Sequence, residues 1–115
     1  MSRSDSAFLV DIFTAAKLIL EFIEGVDQGT FENSPLIQSA VIRQLEIAGE
    51  ATKNLSTDFR EKHPEIPWRN IAGMRDILIH QYPDVDVIEV WNVAQFSIPA
   101  LIKQITMIIS EVGEK

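Results

Sequence analysis

Three side chains that could handle a phosphate group or a proton occur close together in the sequence, at Arg75, His80 and Tyr82. A guanidinium can bind a phosphate through paired hydrogen bonds, and an imidazole, with an unperturbed pKa of about 6.5, can move a proton at neutral pH. Pro83 follows at once and pushes Tyr82 out of the α region, so we expect a helix to end there with His80 in its last turn. The pattern indicates phosphate binding and proton transfer at a helix end.

Each of the three residues also has an ordinary structural explanation: an Arg can pair with a carboxylate, a His can cap the last carbonyls and a Tyr can pack in a core. Geometry restricts the chemical interpretation. On a regular helix Arg75 and Tyr82 lie about 20° apart, whereas His80 lies about 140° away from Arg75. Either a distorted helix end brings Arg75 and His80 together, or a second copy of the chain contributes one of them. We favour the second copy.

A polar stripe precedes this stretch, with Arg43, Glu46 and Glu50 at intervals of three and four. One interpretation is an intrahelical Arg–Glu pair worth about 0.2 to 0.5 kcal/mol. The other is that Glu50 orients Arg75, or the equivalent Arg of a second copy. Gly49 favours a close helix crossing here, because a glycine inside a helix costs about 1 kcal/mol relative to alanine.

The spacing of apolar residues predicts an all-α, up-and-down helical bundle of four to five helices in one domain, residues 1–115. No repeat or low-complexity linker divides the chain. The first predicted helix covers residues 5–26 and is followed by a polar turn at 27–30. The second starts after Asn33 or Ser34 with Pro35 in its first turn, a short third helix covers 58–62, and the fourth runs from Pro67 to about Tyr82. Asp84 or Asp86 caps the last helix, and Pro99 is expected to kink or break it near 95–98.

Composition narrows the class of protein. Of the 115 residues 46% are hydrophobic and none is cysteine, which predicts a folded chain without disulfides or thiolate metal sites. The chain opens with no signal-like segment and has no uninterrupted apolar run of about 18 residues, so we expect a soluble, cytoplasmic protein. The net charge of −7 argues against a general nucleic-acid coat protein. Residues 60–80, however, carry a net +1, so a phosphate-facing surface would lie there.

These residues together resemble a known family. Arg75-x-x-x-x-His80-x-Tyr82, the preceding stretch IPWRNIAGM at 66–74 and the stretch LEIAGEA at 45–51 are similar to the HepT family of HEPN-domain toxins. The similarity extends over most of the chain. The sequence differs at Asp76, where many HEPN proteins carry an asparagine. A carboxylate at this position would either steer Arg75 or His80, or weaken the local attraction for RNA.

The resemblance implies an HEPN-like fold and a metal-independent endoribonuclease without a cofactor. In that interpretation Arg75 and His80 are catalytic, Asp76 and Glu50 support them, and attack by the 2′-oxygen of RNA leaves a cyclic phosphate. The cleft is formed by two protomers of a homodimer. The resemblance also implies a toxin–antitoxin module in which an MNT-type nucleotidyltransferase antitoxin attaches AMP to Tyr82.

The sequence leaves two alternatives open. The chain could be a non-catalytic subunit that binds the nucleotidyltransferase and is AMPylated on Tyr82. It could also be a structural helical dimer in which Arg75 and Tyr82 only stabilise an interface. Metal catalysis is less attractive, because the sequence has no His-x-x-x-His or carboxylate–His cluster with ligand spacing.

Overall fold

The computed structural model describes residues 3–81 and 85–113, with the backbone alone for residues 3, 4, 79–81, 112 and 113. Every regular element within these ranges is a helix. In chain order they are α1 (Arg3–Ile23), α2 (Gln28–Glu32), α3 (Pro35–Asn54), α4 (Thr57–Lys62), α5 (Trp68–Gln81), α6 (Val87–Asn92), a π-helix (Val93–Ser97) and α7 (Ile98–Gly113). The predicted all-α class is confirmed.

Side-chain caps fix where the helices begin. The Ser34 hydroxyl accepts a hydrogen bond from the Ile37 amide at 3.2 Å, and Pro35 occupies the first turn, where its missing N–H costs nothing. The Asp86 carboxylate accepts from the Ile88 and Glu89 amides at 3.0 and 3.3 Å and starts α6. The sequence predictions that Ser34 and Asp86 cap helices are therefore confirmed, each as one of two named alternatives.

The core lies where α3 is flanked by α1 on one side and α5 on the other, with α7 against α1. Its members are mostly aliphatic, as the low aromatic content suggested. The largest fully buried apolar side chains are Leu9, Ile12, Ile19, Phe31, Val41, Ile66, Leu78, Val90 and Ile105. Because α5 packs against α3 on one side, its other faces are available to form surface grooves.

Two local predictions need correction. The polar turn expected at 27–30 contains α2, which the Asp27 side chain caps by accepting from the Thr30 amide at 2.8 Å, and which buries Phe31 in the core. Of the two outcomes expected near Pro99, a kink or a break, the break does not occur, because the helix is continuous from Val87 to Glu111. Instead the Ile98 amide donates to the Val93 carbonyl, five residues back, and this wider π turn accommodates a proline ring that would clash with an α-helical carbonyl.

Within the described residues, one continuous helix, Val87–Glu111, has the length and apolar composition needed to cross a membrane. In the structure 28% of its apolar stretch is buried. A core helix of a soluble protein passes the same test, and this helix supplies Trp91, Leu101 and Ile105 to the bundle core. The expected absence of a membrane span stays a prediction.

Candidate functional site

The site is built on a very close crossing of α3 and α5 at Gly49. A Cβ atom placed on Gly49 would lie 2.2 Å from the Arg75 Cβ and 3.1 Å from the Ile71 carbonyl oxygen. No side chain larger than hydrogen fits without moving α5. The packing expected at Gly49 is therefore present, and the residue packed against it is Arg75 itself.

The Arg75 guanidinium lies between two carboxylates. Its Nε is 2.9 Å from Glu50 Oε2 on α3, and its Nη1 donates to Asp76 Oδ1 at 3.3 Å. The side chain is 27% exposed. Within the described ranges Nη2 has no hydrogen-bond or ion-pair partner, so this end of the guanidinium can still offer N–H donors to an anion.

Arg75 lines a shallow groove of about 290 Å³, which we call the Arg75 groove. Its charged members are mixed in sign, and Arg43 pairs with Glu46 across one helical turn at 3.9 Å. Both interpretations of the polar stripe thus have a contact in the structure, since Glu50 pairs with Arg75 while Glu46 pairs with Arg43. The groove is lined by Phe8, Asp11, Arg43, Glu46, Ile47, Glu50, Ala51, Asn54 and Arg75.

Lys53, which was not among the predicted site residues, joins Glu50, Arg75 and Asp76 in a group of charged side chains that we call the Arg75 cluster. Lys53 Nζ donates to Asp76 Oδ1 at 2.6 Å, from α3 to α5. This hydrogen bond is the largest cause of the lowered pKa of Asp76, and Arg75 lowers that pKa further. Lys53 stands three residues after Glu50, so helical spacing places both on neighbouring turns of one face of α3. That spacing was the available signal for Lys53.

The structure brings together three of the predicted site residues, Glu50, Arg75 and Asp76. The backbone of His80 lies in the last turn of α5, but its side chain is outside the described residues. Tyr82 is also outside them. Whether His80 acts with Arg75, and whether Tyr82 is modified, stay predictions, as do the roles of Glu50 and Asp76 in catalysis.

No group of three or more His, Cys, Asp or Glu side chains that could hold a metal ion occurs in the part of the chain that is described. The cluster offers instead a guanidinium and an ammonium, each paired with a carboxylate. Such groups can stabilise negative charge on a phosphate through hydrogen bonds.

Comparison with known proteins gives the class of protein. The sequence model of the family described as "Ribonuclease HepT-like" matches residues 12–108, which include α3, α5 and the whole cluster. No solved structure matches the chain. Together with the all-α bundle and the Arg75 cluster, the match defines a helical ribonuclease. The chain belongs to the HepT-like ribonuclease family, as the resemblance implied.

The chain is similar over most of its length to proteins from several organisms. A Thermococcus cleftensis protein named "Probable ribonuclease HepT" is 48% identical over 88% of this chain and 92% of its own length. The Methanocaldococcus jannaschii protein "Putative RNase MJ0125" is 45% identical over 98% of this chain and 97% of its own. "Putative RNase TTE0752" of Caldanaerobacter subterraneus is 40% identical over 95% and 97%.

Proposed function

We propose that this HepT-like ribonuclease is a metal-independent endoribonuclease whose catalytic residues are Arg75 and His80. The observation that carries the proposal is the Arg75 guanidinium, held 2.9 Å from Glu50 with its Nη2 end unpartnered among the described residues. A guanidinium fixed on one side and open on the other is prepared to bind a phosphate before the RNA arrives.

The proposed reaction needs one base and one anion-stabilising group. His80 takes the proton from the 2′-hydroxyl, and the 2′-oxygen attacks the adjacent phosphorus while the bond to the 5′-oxygen breaks. The leaving 5′-oxygen takes a proton from the imidazolium or from water. The products are a 2′,3′-cyclic phosphate and a 5′-hydroxyl end. Arg75 hydrogen-bonds to the non-bridging oxygens, where negative charge grows.

The reaction class is tested by incubating the purified protein with a single-stranded RNA in buffer containing EDTA. We expect internal cleavage, with cyclic phosphate ends identified by mass spectrometry of the fragments. An RNA with a 2′-deoxy residue at the cleaved position is the matched control and should stay intact. Cleavage that needs added Mg²⁺, or that leaves 5′-phosphate ends, would refute the proposed reaction.

We propose that the active form is a homodimer, with the second copy seated against α5. Between α5 and the π-helix and α7 there is a largely apolar groove of about 660 Å³, which we call the apolar groove. Met74 and Ile77 line it on either side of Arg75 and Asp76 in sequence, and Ile77 is 48% exposed. On a regular helix position 77 lies about 160° from position 75 and about 60° from position 80, so a second copy that buried this apolar surface would lie on the side of α5 that carries position 80. Positions 75 and 80 lie about 140° apart on a regular helix, which favours a site completed by the partner.

Two variants that each replace an exposed aliphatic side chain with glutamate test this interface. Ile77→Glu should shift the protein from dimer to monomer in light scattering and abolish RNA cleavage, because it places a charge in the buried surface. Val10→Glu is the control, since Val10 is 54% exposed on α1 and does not line the apolar groove. A wild-type monomer that cleaves RNA, or a dimer that Ile77→Glu leaves intact, would rule out this assembly.

Co-expression of Arg75→Ala and His80→Ala chains tests whether two protomers share one site. If Arg75 and His80 of one site come from different protomers, a mixed dimer keeps one intact site of two. Because about half the dimers are mixed, we expect about a quarter of wild-type activity from two inactive parents. No recovery in verified mixed dimers would mean that each site uses residues of a single chain.

We further propose that the protein is the toxin of a toxin–antitoxin pair in the cytoplasm, inhibited by an MNT-type nucleotidyltransferase that adds AMP to Tyr82. The Tyr82 oxygen would attack the α-phosphorus of ATP and release pyrophosphate. The added phosphate and adenine would occupy the place of substrate RNA and repel it. The family resemblance supports this, as does the position of Tyr82 directly after α5, two residues from His80.

Mass spectrometry of the peptide that contains Tyr82 tests the modification directly. Incubation with ATP and a purified MNT-type nucleotidyltransferase should add one AMP to the peptide that contains Tyr82 and stop RNA cleavage. Tyr82→Phe should stay unmodified and active. If expression of the unmodified protein does not arrest growth, the toxin proposal fails. If AMP is added to a residue other than Tyr82, the modification proposal fails. Neither result affects the RNA cleavage assay, which tests the nuclease proposal by itself.

A further inference from the structure

Asp76 is a carboxylate next to the group proposed to bind the RNA phosphate, and its contacts show how its charge is compensated. Its Oδ1 accepts hydrogen bonds both from Arg75 Nη1 at 3.3 Å and from Lys53 Nζ at 2.6 Å. The shorter bond is the one to Lys53. The two cations come from different helices and share one carboxylate oxygen at the edge of the α3–α5 crossing.

Local charge shows what Lys53 contributes. Arg75 lies between the carboxylates of Glu50 and Asp76, and these three groups alone carry a net charge of −1. Such a cluster would repel a phosphate. Lys53 brings the cluster to zero. Its side chain is 39% exposed and that of Asp76 is 45% exposed, so both lie at the surface that an RNA strand would approach.

We propose that Lys53 is a positioning residue for this ribonuclease: it holds and neutralises Asp76, so that the open end of Arg75 stays available to the RNA phosphate. This inference rests on the proposed function, because it assigns Lys53 a part in the same site. The lowered pKa of Asp76 agrees with it, since the Lys53 hydrogen bond is the largest cause of that shift. In chains with an uncharged residue in place of Asp76, a lysine at position 53 would not be needed for this purpose.

Steady-state cleavage by Lys53→Met tests the proposal. Loss of an exposed ion pair predicts a rise in KM for RNA of about two- to fivefold with kcat nearly unchanged, because substrate and transition state lose the same attraction. Lys17→Met is the matched control, since Lys17 is exposed on α1 and the substitution removes the same charge. Lys53→Arg should keep the wild-type KM, and Asp76→Asn added to Lys53→Met should restore it.

The double variant separates positioning from direct contact. If Lys53 touched the RNA itself, removing Asp76 would not repair Lys53→Met, and that result would overturn the proposal. A KM for Lys53→Met equal to that of Lys17→Met would also overturn it. All variants should melt within a few degrees of the wild type, because the pair is exposed.

A binding measurement distinguishes failure of this inference from failure of the nuclease proposal. The NMR signal of the Arg75 Nε–H is followed while inorganic phosphate is added. We expect it to shift in the wild type, to need about two- to fivefold more phosphate in Lys53→Met, and to recover in the double variant. A wild type that shows this pattern without cutting RNA refutes the nuclease proposal alone. An Arg75 signal that phosphate moves equally in all variants refutes the role of Lys53 alone.

Discussion

Replacement of Gly49 by alanine tests the close crossing that positions Arg75. In the structure the added Cβ would lie 2.2 Å from the Arg75 Cβ, where ordinary contacts begin at 3.4 Å, so α5 must move away by roughly 1 Å. Alanine favours the helix by about 1 kcal/mol over glycine, but overpacking costs about 1 to 3 kcal/mol. We expect Gly49→Ala to be about 1 kcal/mol less stable than the wild type, which lowers Tm by about 4 °C.

The matched control is Gly73→Ala on α5, where an added Cβ meets no atom within 4 Å. Within one protomer only the helix preference acts at this position, and we expect a gain of about 0.5 to 1 kcal/mol in the protomer's own stability. Urea unfolding of the two variants should therefore differ in free energy by about 1.5 to 2 kcal/mol, although the chemical change is identical. The displaced Arg75 should also lower RNA cleavage by Gly49→Ala by about 10- to 100-fold. A Gly49→Ala variant that is more stable than the wild type and fully active would refute this account of the crossing.

Further predictions concern stability. Asp5 is 4% exposed and accepts hydrogen bonds from the amide and hydroxyl of Ser56, both at 2.8 Å; Asp5→Ala should cost about 1 to 3 kcal/mol in urea unfolding, against little change for Asp11→Ala on the exposed face of α1. Ser34→Ala removes the cap of α3 and should cost about 0.5 to 2 kcal/mol, with Ser34→Gly recovering most of it. The folded-state pKa of Asp76 lies below its ordinary value of 3.8. Its contribution to stability is therefore complete above pH 3.8 and is lost as the pH falls through the folded-state pKa. Asp76→Asn should remove this pH dependence, and a free energy of unfolding that changes with pH in the same way in both proteins would contradict the ion pairs.

The sequence was most informative where local chemistry decides the structure. Ser34 and Asp86 start helices because their side chains bond to amides two or three residues on, and that relation is visible in the chain. The bundle class followed from the periodicity of the apolar residues. The π-helix before Pro99 was not predicted, because a proline inside a helix can be accommodated by a kink, a break or a widened turn, and packing decides among them.

Contacts between distant segments were harder to predict. The Glu50–Arg75 pair was proposed only as one of two interpretations, and Lys53 was not considered, because both depend on how α3 and α5 are rotated about their axes. The Asp5–Ser56 contact joins residues 51 positions apart, and no local pattern indicates it. Gly49 did signal a close approach, but the sequence could not show that Arg75 is the residue it admits.

The central claim is that Arg75 and His80 act on the same RNA phosphodiester. Its most direct test is the rate of RNA cleavage in EDTA by Arg75→Ala and by His80→Ala, each first shown by circular dichroism and light scattering to keep the wild-type fold and assembly. We predict that each variant loses at least about 100-fold in rate, in line with the removal of a general base or of a transition-state charge partner. If either folded variant cleaves RNA at the wild-type rate, the proposed pair does not perform the reaction.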